Sequence, residues 1–170
     1  MKTYASFFEG HDKGEKELGV VEELIVALNR GEALGLHSPK EFSPDPPDCV
    51  CLDASDRPVA IEVAEVVCRT TICLNAQGHS VYRNWRPGEL RDEVGRVLTA
   101  KDGKTLHGGP YHAVIACLFT DEPALTLPQA TAELDGRAFG PFKQLTNAYL
   151  LFSYDPGSRI YPLVRLGIQR

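Results

Sequence analysis

Residues 111–119, Tyr-His-Ala-Val-Ile-Ala-Cys-Leu-Phe, form a nearly continuous apolar run, and this run limits the fold more than any other segment. A strand with one wet face alternates apolar and polar residues, whereas this one has no polar side to give to water. It reads as a strand buried on both faces, the environment of a sheet covered by helices above and below. The helices to cover it are legible on either side. Leu18, Val21, Leu24, Ile25 and Leu28 recur at helical spacing over 15–30, and Gly31 stops that pattern. Leu90, Val94, Val97 and Leu98 mark a second helix that runs from near Pro87 to about Lys101. Thr126 with Pro128 opens a third, short one. Residues 148–154 and 159–166 read as a last strand pair around Asp155-Pro156-Gly157-Ser158, and 70–74 as a possible extra strand. The prolines at 39, 44, 46 and 47 predict irregular, extended chain over 33–47, and residues 1–14 read as a loose arm ahead of one domain spanning 15–170.

The chemistry concentrates between residues 47 and 65. Two apolar runs, 48–52 and 58–67, flank a polar turn at Ser55-Asp56 and predict a β-hairpin. Asp48 opens the first strand, and Glu62 lies mid-strand in the second between Ala60 and Ala64. A carboxylate inside an apolar strand is costly to bury without a cationic partner. A second acid across the ladder adds like-charge repulsion. A divalent cation between them would resolve both costs. The condition is one of register. A two-residue turn at Ser55-Asp56 sets Asp48 against Val63 and sends the two acids to opposite faces, so the site needs a three-residue turn or a bulge.

Pro47-Asp48 followed by Glu62-Val63-Ala64-Glu65 on the next strand resembles the PD-(D/E)xK nuclease superfamily, the restriction-endonuclease-like fold. The resemblance is confined to the hairpin, with a compatible order of elements around it. It implies an α/β core of α-β-β-β-α-β order, a mixed central sheet flanked by helices, with the C-terminal hairpin as decoration. It also implies Mg²⁺ or Mn²⁺ held by Asp48 and Glu62 with the carbonyl of Val63, and hydrolysis of phosphodiester bonds in DNA. The family's lysine two residues after the acid is replaced here by Ala64. A lysine from the neighbouring helix, Lys101 or Lys104, is the candidate to take its catalytic place, and Glu23 or Glu17 on the first helix could add a metal-binding carboxylate. Without the motif lysine, a descendant with impaired catalysis is equally an expectation.

Composition bounds the partners. With 43% hydrophobic residues in 170, the chain can build an ordinary core, and no run of about 18 apolar residues marks a membrane span. Five cysteines scattered through apolar runs fit a reducing cytoplasm and buried thiols better than a disulfide framework or a zinc knuckle. The net charge of −5 argues against a dedicated nucleic-acid coat. The distribution is uneven: residues 1–68 carry 6 basic and 14 acidic side chains, and residues 69–104 carry 7 and 4. A basic stretch beyond an acidic hairpin suits an enzyme that meets phosphates. The alternative is a non-catalytic DNA- or protein-binding module, such as an immunity-type partner from a phage or mobile element.

Overall fold

A computed structural model describes residues 12–32, 34–78 and 84–170. Most of the expected arm, residues 1–11, lies outside the described residues. Among those described, four helices flank a mixed sheet of seven strands. The elements follow as α1 (Lys13–Gly31), β1 (His37–Glu41), β2 (Cys49–Leu52), β3 (Pro58–Glu65), α2 (Arg69–Ala76), α3 (Glu89–Asp102), β4 (Ala113–Thr120), α4 (Leu127–Leu134), β5 (Ala138–Phe139), β6 (Asn147–Phe152) and β7 (Leu163–Ile168). The sheet order is β1-β2-β3-β4-β6-β7-β5. The β3–β4 and β4–β6 pairs are parallel, and β1–β2, β2–β3 and β6–β7 are antiparallel. The apolar run is therefore the middle strand, β4.

Its side chains feed two cores. Ile115 and Cys117 join Cys49, Cys51, Ile61, Val63 and Tyr149 under α1, which contributes Val20, Val21, Leu24, Ile25 and Leu28. Ala116 and Leu118 point the other way, into a cluster with Leu90, Val94 and Leu98 of α3 and Ala130 and Leu134 of α4. Alternation along one strand thus supplies both layers.

Four expectations are corrected. Helix α1 begins at Lys13 rather than 15, because Asp12 caps it by accepting the Glu15 amide at 2.9 Å. Residues 37–41, read as irregular chain, form β1. As an edge strand it tolerates Pro39, which lacks a ladder donor. Residues 69–76 are helical, not a strand, and only Thr71 in that stretch is buried. The C-terminal hairpin is no decoration, since β6 pairs directly with β4 near the centre of the sheet. The capping of α4 is as expected and fuller: Thr126 and Gln129 each bond the other's backbone amide.

Candidate metal and phosphate site

The hairpin turn decides the site. Cys49 pairs with Ile61 and Leu52 with Pro58, and the Asp53 amide still donates to the Arg57 carbonyl at 3.1 Å. Only Ala54, Ser55 and Asp56 lie beyond that closing pair. The turn therefore holds three residues, with Asp56 in the left-handed region at φ 56°. Asp53 stabilises it by accepting the amides of Ser55 at 2.8 Å and Arg57 at 3.0 Å, and the Arg57 guanidinium at 2.8–2.9 Å. Continuing the register one step sets Asp48 opposite Glu62, on one face of the sheet. The two-residue turn, which would have separated them, does not form.

That shared face is the one covered by α3. Glu62 is flanked along its own strand by Ala60 and Ala64 and across the parallel pair by Ala116. The C-terminal end of α3 reaches Glu62 across these small side chains. Lys101, from the last turn, places its Nζ 2.8 Å from Asp48 Oδ2 and 2.8 Å from Glu62 Oε2. Lys104, just beyond the helix, lies 2.9 Å from the same Glu62 oxygen and 3.7 Å from Asp45. Ala64, two residues after Glu62, shares its face. A lysine there would project from the strand into the space that Lys101 now enters from the helix.

The carboxylates are buried, with side-chain exposures of 1% for Asp48 and 0% for Glu62, against 12% for Lys101 and 33% for Lys104. Asp48 Oδ2 also accepts the Val63 amide at 2.7 Å. Val63 thus meets the site through its backbone, and strand geometry turns its carbonyl toward the same neighbour. Asp48 Oδ1 and Glu62 Oε1 have no hydrogen-bond partner, whereas Glu62 Oε2 is met by both ammoniums at 2.8 and 2.9 Å. Buried carboxylate oxygens without hydrogen bonds are costly in a structural role. Asp45, Asp48 and Glu62 each offer an oxygen within 4.8 Å of the others, and among the described residues they form a group able to hold a metal ion. All three donors are hard oxygens, the ligand type that suits Mg²⁺ or Mn²⁺.

Two members of this cluster carry little sequence signal. Asp45 sits in the proline-rich segment before β2, where Lys13 at the start of α1 binds it at 3.1 Å. Lys13 also approaches Glu17 at 3.4 Å and Asp48 at 3.9 Å. The Lys13 hydrogen bond holds the Asp45 carboxyl below its ordinary range, and the same bond raises Lys13. Burial, reinforced by the Asp48 charge, pushes Glu17 upward. Burial works to lower Lys104, but its bond to Glu62 and the charges of Glu62 and Asp48 outweigh that and raise it. The Pro44 to Pro47 run gave no reason to expect a ligand, and Lys13 fell within the expected arm.

Glu23 does not belong to the site. It lies six residues beyond Glu17 on α1, in a cleft with Phe119, Thr120, Asp121 and Tyr161 at the C-terminal end of β4. Glu17, on the turn that faces Asp48, is the α1 carboxylate near the cluster. Cys49 and Cys51 are core residues with thiols pushed up by burial to about 12 and about 11, and among the described residues no cysteine joins a metal-binding group.

The end of α3 is held in place by its neighbours. The Asp102 carboxylate accepts the amides of Lys143, Gln144 and Leu145 at 2.8–3.0 Å. Gln144 Nε2 in turn donates to the carbonyls of Asp102 and Lys104. The His107 amide donates to the Pro46 carbonyl at 2.9 Å, tying the loop after α3 to the segment that carries Asp45. The histidine-flanked Gly108-Gly109 turn thus braces the site from outside. No protein-family model matches the chain, and neither a curated protein nor a solved structure matches it.

Proposed function

We propose that this chain is a metal-dependent phosphodiesterase acting on DNA, built on a restriction-endonuclease-like core in which the motif lysine has moved from β3 to the end of α3. One observation carries the reading: two buried carboxylates face each other on one side of a hairpin, retain oxygens without hydrogen bonds, and are met by two lysines from a neighbouring helix end. The run α1-β1-β2-β3-α3-β4, interrupted by the short α2, supports it as a compatible order of elements.

In this reading Asp48 and Glu62 hold Mg²⁺ or Mn²⁺, with Asp45 and the Val63 carbonyl as further donors. When bound, such an ion supplies Lewis-acid polarisation of a phosphoryl oxygen and lowers the pKa of a coordinated water. The residues of the chain do the rest. Lys104, one-third exposed, is placed to meet a non-bridging phosphate oxygen or to orient the attacking water, the task Ala64 cannot perform. Asp102 and Gln144 fix the backbone that carries the two lysines. The basic stretch contributes less than its count suggests, because Arg91 and Arg96 are already bound to Asp92 and Glu93.

The test is cleavage of duplex and single-stranded DNA with Mg²⁺, Mn²⁺ or chelator. Cleavage that needs the divalent ion and disappears in Asp48→Ala and Glu62→Ala is expected. Absence of cleavage, together with absence of any metal binding that these substitutions remove, would overturn the enzymatic reading.

A second reading has its own observation. Lys101 and Lys104 neutralise Asp48 and Glu62 without any ion, as a domain that has lost catalysis would require. A DNA- or protein-binding module is then the function. A gel shift that weakens steeply between low and moderate salt, with no cleavage, would favour its DNA-binding form.

A further inference from the structure

We propose that Lys101 is a built-in competitor for the cation, so that this one side chain sets how tightly the site takes a divalent ion. The inference rests on the metal-dependent reading of the same site and goes beyond it by separating the two lysines. The Lys101 Nζ lies 2.8 Å from Asp48 Oδ2 and from Glu62 Oε2, which is the position of an ion bridging those two oxygens. Two bodies cannot share that position. Lys104 touches Glu62 alone among the two and stands nearer the surface, so it can remain while an ion enters.

Charge leads to the same division. The three carboxylates of Asp45, Asp48 and Glu62 and the three ammoniums of Lys13, Lys101 and Lys104 sum to zero, so the pocket is balanced before an ion arrives. A divalent ion added to that set leaves an excess of two positive charges within about 4 Å, where attraction and repulsion are strongest in a poorly hydrated site. Removal of one ammonium halves the excess. Lys101 is the one to leave, because its four-carbon stem can swing toward solvent while its backbone stays fixed by the bonds of neighbouring Asp102 to residues 143–145. Asp48 Oδ1 and Glu62 Oε1, which Lys101 does not engage, would add to the oxygens its ammonium gives up to an ion in its place.

The experiment is a Mn²⁺ titration of the full chain, followed by electron paramagnetic resonance and calorimetry, for wild type, Lys101→Met and Lys104→Met. Thermal melts with and without Mn²⁺ accompany it. The expected result is binding at least tenfold tighter in Lys101→Met than in wild type, with little tightening in Lys104→Met. Lys101→Met should melt lower than wild type without metal, and Mn²⁺ should raise its Tm by more than it raises the wild type's. Lys101→Gln, which keeps a polar end, serves if the methionine variant does not fold. Equal or weaker binding in the Lys101 variants, with wild type binding, defeats this inference alone. Equal tightening in both lysine variants also defeats it, since position would then not matter. No Mn²⁺ binding by any form defeats the metal reading itself.

Discussion

One hairpin carries two carboxylate clusters, and they are built on opposite plans. At the turn, Asp53 accepts two backbone amides and a guanidinium, all supplied by the residues of its own loop. Burial would raise its pKa, but those bonds to Arg57 and Ser55 hold it down to about 2. At the other end, Asp48 and Glu62 are buried more deeply, draw their cations from α1, α3 and the loop after α3, and leave oxygens without hydrogen bonds. The first cluster is complete within five residues and shapes the chain. The second is assembled from distant segments, costs more to bury, and with Asp45 could hold a metal ion. A fold that needed only stability would gain from apolar residues at 48 and 62, because a buried ion pair rarely outperforms good packing.

Substitutions can break that contrast. Glu62→Gln and Asp48→Asn should produce the largest functional change, a loss of Mn²⁺ affinity at or beyond the roughly 10–100-fold that even outer-shell changes cost. Calorimetry checks this, and unchanged affinity would mean the cluster is no metal site. Lys101→Ala should cause the largest loss of stability, about 3–5 kcal/mol, because it takes the nearest cation from buried Asp48 and leaves Glu62 with Lys104 alone. Urea denaturation measures it, and a loss below about 1 kcal/mol would show that water already reaches the pair. Asp102→Ala should cost about 3 kcal/mol through its three backbone bonds. It should also weaken any activity more than Asp53→Ala does, since it loosens the helix end that carries both lysines.

The turn should respond differently. Asp53→Ala should destabilise the hairpin yet leave Mn²⁺ binding unchanged, which the same titration reports. Its pH dependence is the smallest effect. The folded-state pKa of Asp53 lies below the ordinary 3.8, so the charged form stabilises the fold above that value. The contribution fades as pH falls from about 4 through about 2. Thermal melts of wild type and Asp53→Asn across that range should converge toward the acid end.

Much of this was legible in the sequence, and the parts that were not have physical causes. The double-faced run at 111–119 and the helical periodicity of α1 and α3 depend on burial alone, and burial is written residue by residue. The acids at 48 and 62 were visible because an apolar strand makes a charge conspicuous. Their register was not, since a turn of two residues and one of three differ only in how Asp53 and Arg57 close the loop. Lys101 and Lys104 could be named from their place before β4, but their meeting with Glu62 depends on how α3 crosses the sheet. Asp45 and Lys13 met only through tertiary packing. Glu23, expected to be near the acids, lines a cleft at the C-terminal end of β4 instead, six residues beyond Glu17 on α1. Strand β1 was hidden by Pro39, which an edge position tolerates. The central place of β6 could not be read from a C-terminal hairpin pattern.

The most direct test of the central claim is whether Asp48 and Glu62 bind one ion together. A Mn²⁺ titration of wild type, each single variant and the Asp48→Asn/Glu62→Gln double variant measures it. The account predicts one site in wild type, its loss in either single variant, and no further loss in the double. Binding that survives both single substitutions, or that never occurs in wild type, would contradict it.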